Sequence, residues 1–151
     1  MYYETSVRIA ASADQVWAVL RDVERWPEWT PTVSRVDRVE SAPEYVPGAD
    51  GPAGELTKGD VVSIKQPRMP TLSWTVLDWS PATFFSWSSS SGGVITVAEH
   101  RIDRTDELGV TVTLSVRQSG PLAPVFGLLT GRQTRRYVDT EAEGLKRRCE
   151  R

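Results

Sequence analysis

The chain contains a single histidine, His100, and the search for proton chemistry starts there because imidazole is the side chain that titrates by default near neutral pH. It stands in the run Ala98-Glu99-His100-Arg101-Ile102-Asp103. The alternation of that run groups His100 with Ala98 and Ile102 and leaves Glu99, Arg101 and Asp103 on the opposite side of a strand. An imidazole on the apolar side either exchanges a proton with something bound there or makes a structural or ligand contact. The second role leads, since the sequence places no carboxylate or nucleophile beside it. Other signatures are missing: there is no Gly-x-Ser-x-Gly elbow and no His-Glu-x-x-His, and Gly48, Gly51 and Gly54 have the wrong spacing for a phosphate loop. One histidine and one cysteine, Cys149, make no metal-ligand set and no disulfide, so neither metal nor cofactor is expected.

The other chemical resource is aromatic surface. Six tryptophans fall in 151 residues: Trp17, Trp26, Trp29, Trp74, Trp79 and Trp87. Each brings a large apolar ring and one N–H that needs a partner when buried, a combination that suits either a core or a pocket with a polar point.

The elements that must position these groups follow from periodicity. Residues 2–9 alternate as a strand; Ser12 and Gln15 have capping-box spacing, and Val16, Leu20 and Val23 continue as a helix. Pro27 suits a first turn, which predicts a second short helix over 27–30 stopped by Pro31. Val33, Val36 and Val39 read as a strand. Residues 41–58, rich in glycine and proline, read as a long loop that either gates a site or is disordered. Residues 60–66, the stretch around Trp74, that around Phe85 and Trp87, that around His100, and residues 110–117 form a run of alternating strands, the pattern of an antiparallel meander with one dry face. From about residue 121 to 148 one long helix is expected, its stripe running through Leu122, Val125, Phe126, Leu129, Tyr137 and Leu145, with Gln133 and Thr140 as polar breaks. Gly127, Gly131 and Gly144 lie inside it. The expected fold class is α+β: a curved antiparallel seven-stranded sheet around a long C-terminal helix, with two short helices between strands 1 and 2, as one domain over 1–151.

Val16-Trp17, Trp26-Pro27-Glu28-Trp29-Thr30-Pro31, Gly59-Asp60, Ile64-Lys65-Gln66-Pro67-Arg68, Phe85-Ser86-Trp87, His100-Arg101, Ser119-Gly120-Pro121 and the segment from Arg135 to Lys146 resemble the polyketide cyclase/dehydrase branch of the START-like (SRPBCC, Bet v 1-like) superfamily. The resemblance covers nearly the whole chain and implies a helix-grip fold with a hydrophobic cavity between sheet and last helix. It also implies a ligand of lipid, sterol-like or aromatic polyketide-like character. Cyclases of that superfamily use a pocket arginine and tyrosine, and by that resemblance Arg68 would sit beside an enolate oxygen while Tyr137 donates a proton. A surface position for Arg68 is the leading reading over that role, since arginine is seldom buried.

The leading function is therefore binding or carriage of a small hydrophobic molecule. Its walls are expected from Trp29, Ile64, Trp74, Trp87, Val112, Leu114, Phe126 and Leu129, and its polar points from Gln66, His100, Gln133 and Tyr137. The alternative is a cyclase or dehydratase acting on a β-carbonyl compound, and the residues leave open whether any reaction occurs. A net charge of -2 argues against nucleic acid as partner. The mixed charges from Arg132 to Arg148, including Asp139, Glu141 and Glu143, read as a solvated helix face. No apolar run is long enough for a membrane span, and a lone cysteine suits the cytoplasm. Monomer and homodimer are both compatible with the sequence.

Overall fold

A computed structural model describes residues 1–40, 55–106 and 109–151. Among them run β1 (Tyr2–Ile9), α1 (Ala13–Leu20), a 3-10 helix (Val23–Glu28), β2 (Arg35–Glu40), β3 (Val61–Lys65), β4 (Leu72–Ser80), β5 (Phe84–Ser91), β6 (Val94–Asp106), β7 (Gly109–Ser119) and α2 (Ala123–Cys149). The described strands form one antiparallel seven-stranded sheet in the order β1-β7-β6-β5-β4-β3-β2. The first two strands are thus opposite edges, and α1 with the 3-10 helix carries the chain between them. α2 lies against β1, β7 and β6, which makes this the helix-grip arrangement expected from the sequence.

Local chemistry fixes the crossover. Ser12 Oγ accepts the Gln15 N–H and Gln15 Oε1 accepts the Ser12 N–H, so the predicted capping box starts α1. The second helix differs from the prediction: it spans Val23–Glu28, with Pro27 near its end rather than in its first turn. The Trp26 indole N–H donates to the Leu20 carbonyl at 3.0 Å, which folds the chain back onto α1 before Pro27 is reached. In β2, Val36 faces inward and Val39, three residues on, faces outward at 59% exposure; a bulge between Arg38 and Glu40 follows.

A second bulge, between Val76 and Asp78, puts Trp79 back on the inner side of the sheet. There the Trp17 and Trp79 rings meet edge-on at 5.0 Å, and both indole N–H groups donate to the Glu55 carboxylate, at 2.9 and 3.0 Å. Leu56 is fully buried beside it. Residues 55–58 carry no helix or strand, as expected of the loop's end, but Glu55 and Leu56 pack against the core, Glu55 because two indole donors share its carboxylate. Residues 41–54 lie outside the described part, and so does the gating expectation attached to them.

At the other end of the chain Cys149 is half-buried against the core, and burial pushes its thiol up to about 11. Its thiolate fraction at pH 8 is small, so Ellman's reagent is expected to label Cys149 at least about tenfold more slowly than free cysteine. Labelling at the free-thiol rate would contradict that placement. Among the described residues no helix is long and apolar enough to cross a membrane.

Candidate functional site

Strand parity delivers His100 to the inner face of β6, opposite Phe85 on β5 and Leu114 on β7, with only 4% of its surface exposed. Its ring stacks on Phe85 at 4.1 Å and 6° and meets Trp87 edge-on at 5.7 Å, with Trp26 at 5.5 Å. Aromatic faces thus fix the imidazole plane, and what its nitrogens reach decides its chemistry. Nε2 lies 3.2 Å from Oε1 of Glu141, while Nδ1 is buried with no partner. With the imidazole neutral, the carboxylate assigns the proton to Nε2.

Glu141 overturns the reading of this helix segment as a solvated face. Its side chain is 15% exposed and points to the sheet. The signal was present: Glu141 lies four residues after Tyr137 and four before the fully buried Leu145, on one helical stripe. One turn beyond Glu141, Gly144 lets the helix close on the segment after the 3-10 helix; a Cβ there would stand 2.2 Å from the Trp29 carbonyl oxygen. That contact seats Glu141 at the depth of His100. Its other oxygen, Oε2, makes no hydrogen bond among the described residues, so the pair presents a carboxylate oxygen with spare acceptor capacity.

The pair forms part of the wall of a cavity of about 110 Å³ between the sheet and α2. Trp26, Ile64, Trp74, Trp87 and Leu114 make its apolar surface; Gln66, Thr96, Gln118 and Tyr137 add polar atoms. Ile64, Gln66, Trp74, Trp87, His100, Leu114 and Tyr137 were expected at such a cavity from sequence, whereas Trp26 was recognised only as part of a motif.

The other expected residues lie elsewhere. Val112 is fully buried but pairs with Val7 and Ile102, off the cavity wall. Trp29 is buried against Trp26 at 5.3 Å, its carbonyl beneath Gly144 and its indole N–H unpartnered. Gln133 is half-buried and donates to Tyr137 Oη at 3.2 Å. Phe126 and Leu129 are exposed, at 39% and 76%. The helix turns small residues to the sheet in its first half: Ala123 and Gly131 are buried, and Gly127 and Gly131 face Met1. The large apolar side chains are left on the outer side.

Arg68 is exposed in the turn after β3, in the left-handed region at φ 63, and does not line the cavity. The neighbouring Pro67 carbonyl accepts the Tyr137 hydroxyl at 2.5 Å, which holds this turn to α2 and commits the phenolic proton. Of the arginine and tyrosine that the resemblance points to, only Tyr137 lines the cavity, where His100 meets Glu141. Among the described residues no group of three or more His, Cys, Asp or Glu is placed to hold a metal ion.

The sequence matches the family described as "Polyketide cyclase / dehydrase and lipid transport" over residues 3–150. The chain belongs to this family. No curated protein sequence matches it. Solved structures similar to this polyketide cyclase/dehydrase family member include the Zhui aromatase/cyclase from Streptomyces sp. R1128, with TM-score 0.75, 20% identity and coverage of 100% of this chain and 94% of that one. A START superfamily protein from Mycobacterium smegmatis has TM-score 0.72 and 13% identity, covering 99% and 97%. A hypothetical protein from Helicobacter pylori has TM-score 0.75 and 13% identity, covering 99% and 86%. At these identities the likeness is one of fold, and it places the chain on the START-like scaffold that its sequence resembles.

Proposed function

We propose that this family member binds a compact, mostly apolar molecule through one hydrogen-bonding group, which meets the Glu141–His100 pair. The observation that carries the reading is a buried, oriented carboxylate on the wall of an aromatic cavity. Such a mixture of apolar surface and few placed polar groups is typical of small-molecule sites. The cavity is compact, about 110 Å³, and two fused aromatic rings are the guest chosen to test it. The protein would do this work in the cytoplasm.

A second reading, proton abstraction beside a ketone by Glu141 with His100 as its orienting partner, is favoured by the same carboxylate and by the aromatase/cyclase among the similar folds. It ranks second for a physical reason. An enolate needs donors or a cation at its oxygen; Arg68 lies outside, the Tyr137 proton is committed to Pro67, and the described lining includes no lysine or arginine.

Titration with 2-naphthol, read by calorimetry and by tryptophan emission, tests the first reading. One site with quenching is expected. Ala98→Phe, which projects a ring into the cavity from the middle of β6, should abolish binding. Leu129→Trp should leave it unchanged, because that side chain points to solvent. Binding retained by Ala98→Phe in a protein with parent-like circular dichroism would place the site elsewhere.

A further inference from the structure

Four residues along β6 from His100, the inner face changes character. Ser89, Thr96 and Gln118 are direct neighbours across β5, β6 and β7 and share one row, on the side that carries Trp87, Ala98 and Val116. Ser89 is buried at 6% exposure, yet its Oγ has no hydrogen-bond partner; the same holds for the buried Oε1 of Gln118. Thr96 and Gln118 line the same cavity as the His100–Glu141 pair. A buried acceptor without a donor costs about 1 to 3 kcal/mol, so Gln118 Oε1, unsatisfied on the cavity wall, calls for a partner that the described residues do not supply.

We infer that this row is a second polar subsite, and that the ligand is a flat apolar body with a hydrogen-bonding group at each end. This deepens the binding function proposed above and rests on it. One end meets Glu141; the other is an O–H or N–H donor to Gln118 Oε1. Both groups line one cavity, and four residues of β6 separate His100, the partner of Glu141, from Thr96, the neighbour of Gln118, by about 13 Å of strand. Two hydroxyls at opposite ends of a naphthalene lie roughly 8 Å apart, and a hydrogen bond of about 2.8 Å beyond each oxygen gives a reach of the same order. A donor at only one end would leave Gln118 Oε1 unanswered.

The test compares 2-naphthol with 2,6-dihydroxynaphthalene by calorimetry. The symmetric diol gains a factor of two from its two equivalent orientations, so the inference expects more: five- to tenfold tighter binding to the parent protein. In Gln118→Leu the advantage should fall to the statistical factor. A diol no more than twofold better than 2-naphthol in the parent, as when an ordered water already satisfies the row, would overturn the two-ended ligand while leaving the binding function intact. An undiminished advantage in Gln118→Leu would overturn it as well. If neither naphthol binds, the binding function and this subsite fall together.

Discussion

Gly144→Ala is expected to lower stability by about 3 kcal/mol, an overpacking loss at the upper end of the usual range. On helix propensity alone the sign would be opposite, since alanine in a helix interior is favoured over glycine by about 1 kcal/mol. The clash decides. The added methyl would fall 2.2 Å from the Trp29 carbonyl oxygen and 3.3 Å from its carbon, and backbone cannot rotate away as a side chain can. Gly127→Ala is the internal control: its Cβ meets nothing nearer than Met1 Cβ, at 3.6 Å, so it should gain roughly 0.5 to 1 kcal/mol. Urea midpoints of the two variants should therefore move in opposite directions. A Gly144→Ala protein as stable as the parent would mean that α2 does not sit on the Trp29 carbonyl. The consequence reaches the cavity, because a helix lifted at Gly144 withdraws Glu141 from His100 and should weaken 2-naphthol binding.

That coupling explains which parts of the site were legible in the sequence. Strands announce their inner residues by parity, so His100, Trp87, Trp74, Ile64 and Leu114 could be placed from alternation alone. The bulge in β4 defeats a simple count, and Trp79 changes sides at it. On α2 the expected stripe holds in the second half, through Gln133, Tyr137 and Leu145, and fails in the first. The eye follows large apolar residues, Phe126 and Leu129 among them, but the sheet accepts the helix through Ala123, Gly127 and Gly131, whose small size permits close approach. Once that phase is set by packing, Tyr137, Glu141 and Leu145 must face inward together. Glu141 was overlooked because a glutamate among arginines ordinarily belongs to solvent. Its burial makes sense only with the His100 imidazole in place, a contact between residues 41 positions apart. Arg68 stands where the rarity of buried arginine puts it, exposed in the turn after β3, and not in the pocket role that the resemblance implies.

Removing Glu141 should have the largest effect on the site. Glu141→Leu deletes a charged hydrogen-bond acceptor, a contact usually worth about 1.5 to 3 kcal/mol, so 2-naphthol affinity should fall by roughly tenfold to a hundredfold. Naphthalene, which has no hydroxyl to offer, should bind the variant as well as the parent. The variant should also lose about 1 to 3 kcal/mol of stability, because His100 Nε2 is left buried without its acceptor and Nδ1 already has none. Glu141→Gln retains a carbonyl oxygen for that N–H and should keep most of the stability. Equal weakening for naphthol and naphthalene would mean that Glu141 shapes the cavity without touching the ligand. The same variants separate binder from enzyme when the guest is 2-tetralone in deuterated buffer. In proton abstraction, a C1 proton passes to Glu141 Oε2 and the C–H electron pair moves toward the carbonyl oxygen; the carboxyl proton exchanges with deuterium from the buffer, and reversal delivers deuterium to carbon. With no cation on the described cavity wall, exchange no faster than in buffer is expected. Exchange accelerated by the parent, and reduced about 10²-fold or more in Glu141→Gln while 2-tetralone still binds, would make Glu141 a general base and move the enzyme reading ahead of the binding one.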